Sequence, residues 1–119
     1  MSADPAFDRA VRLAAHLPQV EAATWYNTPA LKVRGKGFAR MKEKMDGVLV
    51  VMVPLGLKEA LMEAEPDKYF ETPHYSGWPA MLVNLGAVSD AELQTRLECA
   101  WAEKAPPKLA KSRSDGLAP

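Results

Sequence analysis

Six basic side chains, Lys32, Arg34, Lys36, Arg40, Lys42 and Lys44, fall within one short stretch that holds a single acid, Glu43. The rest of the chain carries nine basic and fourteen acidic residues, so overall neutrality hides a basic segment set against an acidic remainder. Ammonium and guanidinium groups gathered in this way suit charge-assisted hydrogen bonds to the phosphate oxygens of a polyanion. The zero net charge excludes a uniformly basic nucleic-acid binder. At about 0.15 M salt a local patch reaches only about 8 Å, so it must act by contact.

Pattern and turn chemistry place these cations on a β-hairpin. Gly35-Lys36-Gly37 suits a three-residue loop with Gly37 in the left-handed conformation. Such a loop sets Lys32 across from Arg40 and Leu31 across from Met41. Leu31, Val33, Ala39 and Met41 then share the core face. Lys32, Arg34, Phe38 and Arg40 take the other face, with Lys42 beyond them and Lys36 at the tip. Like charges opposed across a ribbon are mildly destabilising, and a bound anion relieves that repulsion. The ring of Phe38 is expected to be exposed there, ready to stack or wedge. On the alternative reading, the basic side chains only shield Leu49 and Val51 on the next strand with their aliphatic stems.

A second cluster runs from Tyr69 to Pro79, where four aromatics, His74 and two prolines make a segment too irregular for one element. Together with Trp25, its His74, Tyr75 and Trp78 are candidates to line a pocket for a small ligand or a protein partner. No cysteine or acid stands at a catalytic or metal-ligand spacing from His74, and a lone histidine beside a tyrosine is more often packed than catalytic. Motifs for phosphate loops, dinucleotide folds, zinc sites and nucleophile elbows are absent. The expectation is a binding protein and not an enzyme, with no catalytic residue, metal or cofactor. His16 suits a helix C-terminus. Cys99, the single cysteine, cannot form an internal bridge and is expected to be buried.

The elements that must position these groups follow from spacing and punctuation. Asp4-Pro5 starts a helix whose stripe, Phe7, Val11, Ala14 and Leu17, ends at Pro18. Strands are expected at Ala22 to Tyr26, Ala30 to Arg34, Phe38 to Lys42 and Val48 to Val53, the last after the Asp46-Gly47 turn. Leu57, Ala60, Leu61 and Ala64 space a short helix that stops near Pro66. Met81 to Leu85 reads as the last strand. Ser89 and Glu92 form a capping box for a helix carrying Leu93, Leu97, Ala100 and Trp101 and stopped by Pro106-Pro107. Residues 1–107 therefore make one α+β domain with a mostly antiparallel sheet, helices at both termini and one between the last strands. Residues 108–119 are expected to form a disordered tail.

At 119 residues, 48% of them hydrophobic and 25% charged, the chain has the composition of a soluble globular domain. The longest apolar run, Val48 to Leu55, is too short to cross a membrane. The opening Met-Ser-Ala-Asp-Pro has no basic n-region, so a secretory signal is not expected. A cytoplasmic location and a monomeric state are the favoured expectations.

The chain resembles the MmcQ/YjbR family of small bacterial proteins over about residues 7 to 109. Leu17-Pro18-Gln19-Val20-Glu21 and Thr28-Pro29-Ala30-Leu31-Lys32-Val33-Arg34-Gly35-Lys36 carry the resemblance first. Phe38-Ala39-Arg40, Thr72-Pro73-His74-Tyr75 with Gly77, Ala100-Trp101 and Ala105-Pro106 follow in order. The resemblance implies a compact α+β fold similar to the frataxin-like domain, described as double-wing, and the family label of DNA-binding protein. Fold alone does not fix function. The shared segment from Lys32 to Lys36 coincides with the basic hairpin, and DNA held by phosphate contacts is the leading expectation. Six such contacts on B-DNA give a salt slope of about −5.

Overall fold

The computed structural model describes residues 5–25 and 27–110. Asp4, Tyr26 and the part of the expected tail from residue 111 onward lie outside the described residues.

The first helix, α1 (Pro5–Ala14), buries Phe7, Ala10 and Ala14 along one stripe. Four strands follow as a meander: β1 (Val20–Trp25), β2 (Thr28–Val33), β3 (Lys36–Met41) and β4 (Val48–Met52). Helix α2 (Leu55–Ala64), the short strand β5 (Tyr69–Phe70) and a 3-10 turn at Pro73–Tyr75 precede β6 (Ala80–Asn84), and α3 (Asp90–Lys104) closes the domain. The fold is α+β, with six strands in the order β1-β2-β3-β4-β6-β5 and every pairing antiparallel.

Period-two alternation gives the sheet two distinct faces. One row runs Leu31, Ala39, Val51, Met81 across four strands, and another runs Met41, Leu49, Val83, Tyr69. Both rows belong to the main core, shared with α1 and with Leu93, Leu97, Ala100 and Trp101 of α3. The opposite face carries the row Ala30, Arg40, Val50, Leu82, Phe70. Its apolar cluster is small: Val48, Val50, Tyr75, Ala80 and Leu82. Leu49 and Val51 thus lie under the helices, and the strand residue directly across from Arg40 is Val50.

The hairpin register differs from the one its sequence suggests. Arg34 and Gly35 form a two-residue turn, with φ of 51° and 83°, the paired positive values of a type I′ turn. Lys36 already pairs with Val33, and Gly37, not Arg40, stands across from Lys32. A bulge then absorbs Phe38 before Ala39 pairs with Leu31. Bulges leave a residue unpaired and re-aim its side chain; here Phe38 turns into the main core and is 0% exposed. The left-handed residues are Arg34 and Gly35, and Gly37 serves another purpose described below.

Two clamps set the helices. Arg9 of α1 donates to Asp90 Oδ1 at 2.7 Å and to the carbonyls of Leu85 and Val88 at 2.7 and 2.8 Å, pinning the turn before α3. Trp101 Nε1 donates to the Pro18 carbonyl at 3.0 Å. Ser89 caps α3 by accepting from the Glu92 amide at 3.1 Å. The Glu92 carboxylate, rather than completing a capping box, reaches β5. It accepts from the Tyr69 hydroxyl at 2.6 Å and from Lys68 Nζ at 2.9 Å. His16 bonds Glu98 at 2.7 Å, and Cys99 is only half-buried.

The chain packs beyond Pro107 as well. Residues 107–110 form a helical turn, Ala110 N donates to the Pro106 carbonyl at 3.0 Å, and Leu109 and Ala110 lie against the main core. A tail beginning at Lys108 is therefore corrected for its first three residues, because two of them find apolar cover.

Candidate binding cleft

The sheet face opposite the main core is only partly covered, and a cleft of about 840 Å³ opens there, with Lys104 at the end of α3 among its lining residues. From the hairpin, Lys32, Lys36 and Arg40 line it; the aromatic wall comes from Trp25, Tyr75 and Trp78, with His74 beside them. The basic and aromatic clusters, far apart in sequence, thus meet at one place. Glu43 is the acid on its lining.

Each side chain reaches the cleft for a local reason. Trp25 ends β1 on the open face, and its indole lies flat against Gly37. A Cβ at that position would stand 2.4 Å from the ring. Gly37 is a seat for the indole, which explains a glycine whose backbone needs no unusual φ. Arg40 sits beneath, 6% exposed, with its guanidinium carbon 5.9 Å from the Trp25 ring centroid. Its Nη2 donates to the Tyr75 hydroxyl, and its Nη1 reaches the Met41 carbonyl at 3.4 Å. Arg40 is consequently part of the cleft floor.

The wall is held from below by a lysine. Lys58, on α2, is 1% exposed. Its Nζ donates to the carbonyls of Tyr75 at 2.7 Å and Trp78 at 2.9 Å, and pairs with Glu71 Oε1 at 2.8 Å. An ammonium has three donors, and three acceptors meet them. Burying it costs several kcal/mol unless it is paired and bonded in this way. The segment that it secures presents Trp78 with 64% of its surface exposed. His74 is exposed too, and meets the Tyr75 ring edge-on at 5.0 Å and 85°.

Of the cations expected to hold phosphates, Arg34, Lys36 and Lys44 are exposed, and Lys32 and Lys42 half-buried. Lys42 Nζ lies 3.3 Å from the Glu43 carbonyl. Two expected contacts are corrected: Phe38 is in the main core because the bulge turns it inward, and Arg40 is buried under Trp25 against Tyr75. The aromatic candidates Trp25, His74, Tyr75 and Trp78 all line the cleft. Among the described residues no group of three His, Cys, Asp or Glu side chains gathers as a metal site would need.

The family model for YjbR matches residues 15–103, three quarters of the chain and nearly all of the cleft. The chain belongs to the YjbR family. Uncharacterized proteins of Mycobacterium tuberculosis and Mycobacterium bovis are each 40% identical to this YjbR chain over 57 residues. That match takes in 48% of this chain and 44% of each relative, so it spans under half of the relatives' length. The crystal structure of protein DR2400 of Deinococcus radiodurans, described by the family-model domain DUF419, shares the fold. Its TM-score is 0.69, at 20% identity, over 82% of this chain and 76% of that one.

Lys58 and Gly37 are the residues of this YjbR cleft that reasoning from sequence missed. A signal for Lys58 existed: it precedes Leu61 and Met62 by three and four positions, which places it on the buried side of α2. Gly37 drew notice only as a turn residue, because nothing local announces an indole arriving from β1.

Proposed function

We propose that this YjbR-family protein is a binding module for DNA, holding backbone phosphates with the lysines in and beside the cleft. The observation that carries the reading is the meeting of Lys32 and Lys36 with the indoles of Trp25 and Trp78 around one concavity. Phosphate contacts position a nucleic acid, and aromatic rings add sequence-tolerant stacking. Arg34, Lys42 and Lys44 extend the positive surface around the hairpin. With Arg40 in the floor, the other five cations of the hairpin segment account for a duplex salt slope of about −4.5, and Lys104 also lines the cleft. The reading assigns no catalytic residue and no cofactor, and it goes with a cytoplasmic monomer. No helix among the described residues is long and apolar enough to cross a membrane.

A small anionic ligand is the second reading. The cleft volume favours it, because about 840 Å³ falls within the roughly 300–1,000 Å³ of small-molecule sites.

Fluorescence anisotropy of labelled single-stranded and duplex DNA over a range of salt concentrations tests the first reading. Wild type should bind in a salt-dependent manner, and Lys32→Glu/Lys36→Glu/Lys44→Glu should lose binding. Absence of binding to either form at low salt overturns it and leaves the small-ligand reading.

A further inference from the structure

We infer that the partner of the cleft is single-stranded DNA, with an unpaired base laid on the Trp78 indole and the adjoining phosphates on Lys32 and Lys36. The inference rests on the DNA reading above and narrows it to one class of partner.

A duplex is poorly matched by what the hairpin presents. The major groove admits a two-stranded ribbon whose projecting side chains read base edges. Here one face of the β2–β3 ribbon is the main core, and the other is a cleft floor where Arg40 lies buried against Tyr75. Phe38, the one ring that the ribbon could have wedged between base steps, points into the core. Only the turn, Arg34 to Lys36, projects freely. The concavity itself is of small-molecule size, room for roughly a nucleotide or two rather than for a stacked helix.

A single strand fits the same features. Its bases have open π-faces, and stacking on an aromatic side chain accepts any of the four. Of the two cleft indoles, Trp25 is already seated on Gly37 and over Arg40. Trp78 is 64% exposed. The backbone that carries it is nevertheless fixed, because Lys58 binds the carbonyl of Trp78 itself and that of Tyr75. A segment whose backbone is ordered before the ligand arrives spares that part of the ordering entropy on binding. Lys58 is thus a positioning residue for the platform, and it touches no ligand.

Anisotropy with the full chain tests this with three probes of equal length: oligo-dT, an abasic strand with the same phosphates, and a blunt duplex. Wild type should bind oligo-dT at least tenfold more tightly than either of the others. Trp78→Ala should bring oligo-dT down to the abasic affinity while leaving the abasic affinity and salt slope unchanged. Since Trp78 is exposed, that variant keeps the fold, which circular dichroism checks. Lys58→Met should weaken oligo-dT and spare the abasic strand. Equal affinity for oligo-dT and the abasic strand, a preference for duplex, or an unaffected Trp78→Ala variant overturns the inference and leaves phosphate binding standing. No binding of any probe overturns the DNA reading and this inference together.

Discussion

Lys58 donates a hydrogen bond to the carbonyl of Trp78 at 2.9 Å, so a fully buried cation holds the backbone of a largely exposed indole. Stability and the shape of the cleft wall meet in that bond. The ammonium is desolvated, and everything that satisfies it belongs to the segment forming the cleft wall or to Glu71 beside it.

Truncating that lysine should be costly. Lys58→Ala removes one partner of a buried ion pair and two carbonyl bonds, a loss of about 3 kcal/mol. Lys58→Met loses the same bonds but keeps the packing of the stem, so it should be less destabilised than Lys58→Ala. Urea denaturation reads both; unchanged midpoints would show that the ammonium contributes nothing net.

Gly37 and Gly35 should fail for different reasons. Gly37→Ala drives a methyl into the Trp25 ring, and overpacking of this kind costs about 1–3 kcal/mol. The indole must move, so the tryptophan emission of the cleft should shift. Gly35 has open space around it but a φ of 83°, so Gly35→Ala should cost about 1–2 kcal/mol with no spectral change. Identical spectra for the two variants would contradict the account.

The turn also offers a gain. Arg34 sits at φ 51° before Gly35, and asparagine is the residue favoured there in type I′ turns. Arg34→Asn should stabilise the fold by about 0.5–1 kcal/mol, read as a raised thermal midpoint. A lowered midpoint would argue for a different turn.

Stability should fall at both ends of the pH scale through one cluster. The Tyr69 hydroxyl, and after it Lys68, hold the Glu92 carboxyl below its ordinary value of 4.5. A depressed carboxyl stabilises the fold fully above that value, and the contribution is lost as pH falls through and below it. Burial and the bond to Glu92 raise the Tyr69 phenol above its ordinary 10.0, and Glu65 and Glu92 raise Lys68 above 10.5. Raised groups stabilise fully below those ordinary values and cease to do so as pH climbs past them. Glu92→Gln should flatten the acid limb and weaken the alkaline one in urea midpoints measured against pH. An unaltered acid limb would place the sensitivity elsewhere.

What could be read in advance follows physical lines. The α1 and α3 stripes, the Leu31–Lys32–Val33 alternation in β2 and the Ser89 cap are local signals, and each appears in the structure. Leu31, Val33, Ala39 and Met41 were legible as core from period two alone. The bulge at Phe38 was not, because two glycines flank Lys36 and local chemistry allows either to take the left-handed position. Strand β5 was hidden too, since two residues carry no periodicity and pair only through distant β6. The basic and aromatic members of the cleft lie in two separate stretches of sequence, and only the folding of the sheet brings them together. Their sharing of one concavity is tertiary information, as is the burial of Arg40.

The central claim is that Lys32 and Lys36 hold phosphates in the cleft, and a salt titration of single-stranded DNA binding addresses it most directly. Each phosphate contact on a single strand contributes about 0.7 to the slope of log affinity against log salt. Lys32→Glu/Lys36→Glu should therefore flatten the wild-type slope by at least about 1.4 and weaken binding at low salt. A slope and affinity unchanged by the double substitution would contradict the account, and would place any nucleic-acid contact away from the cleft.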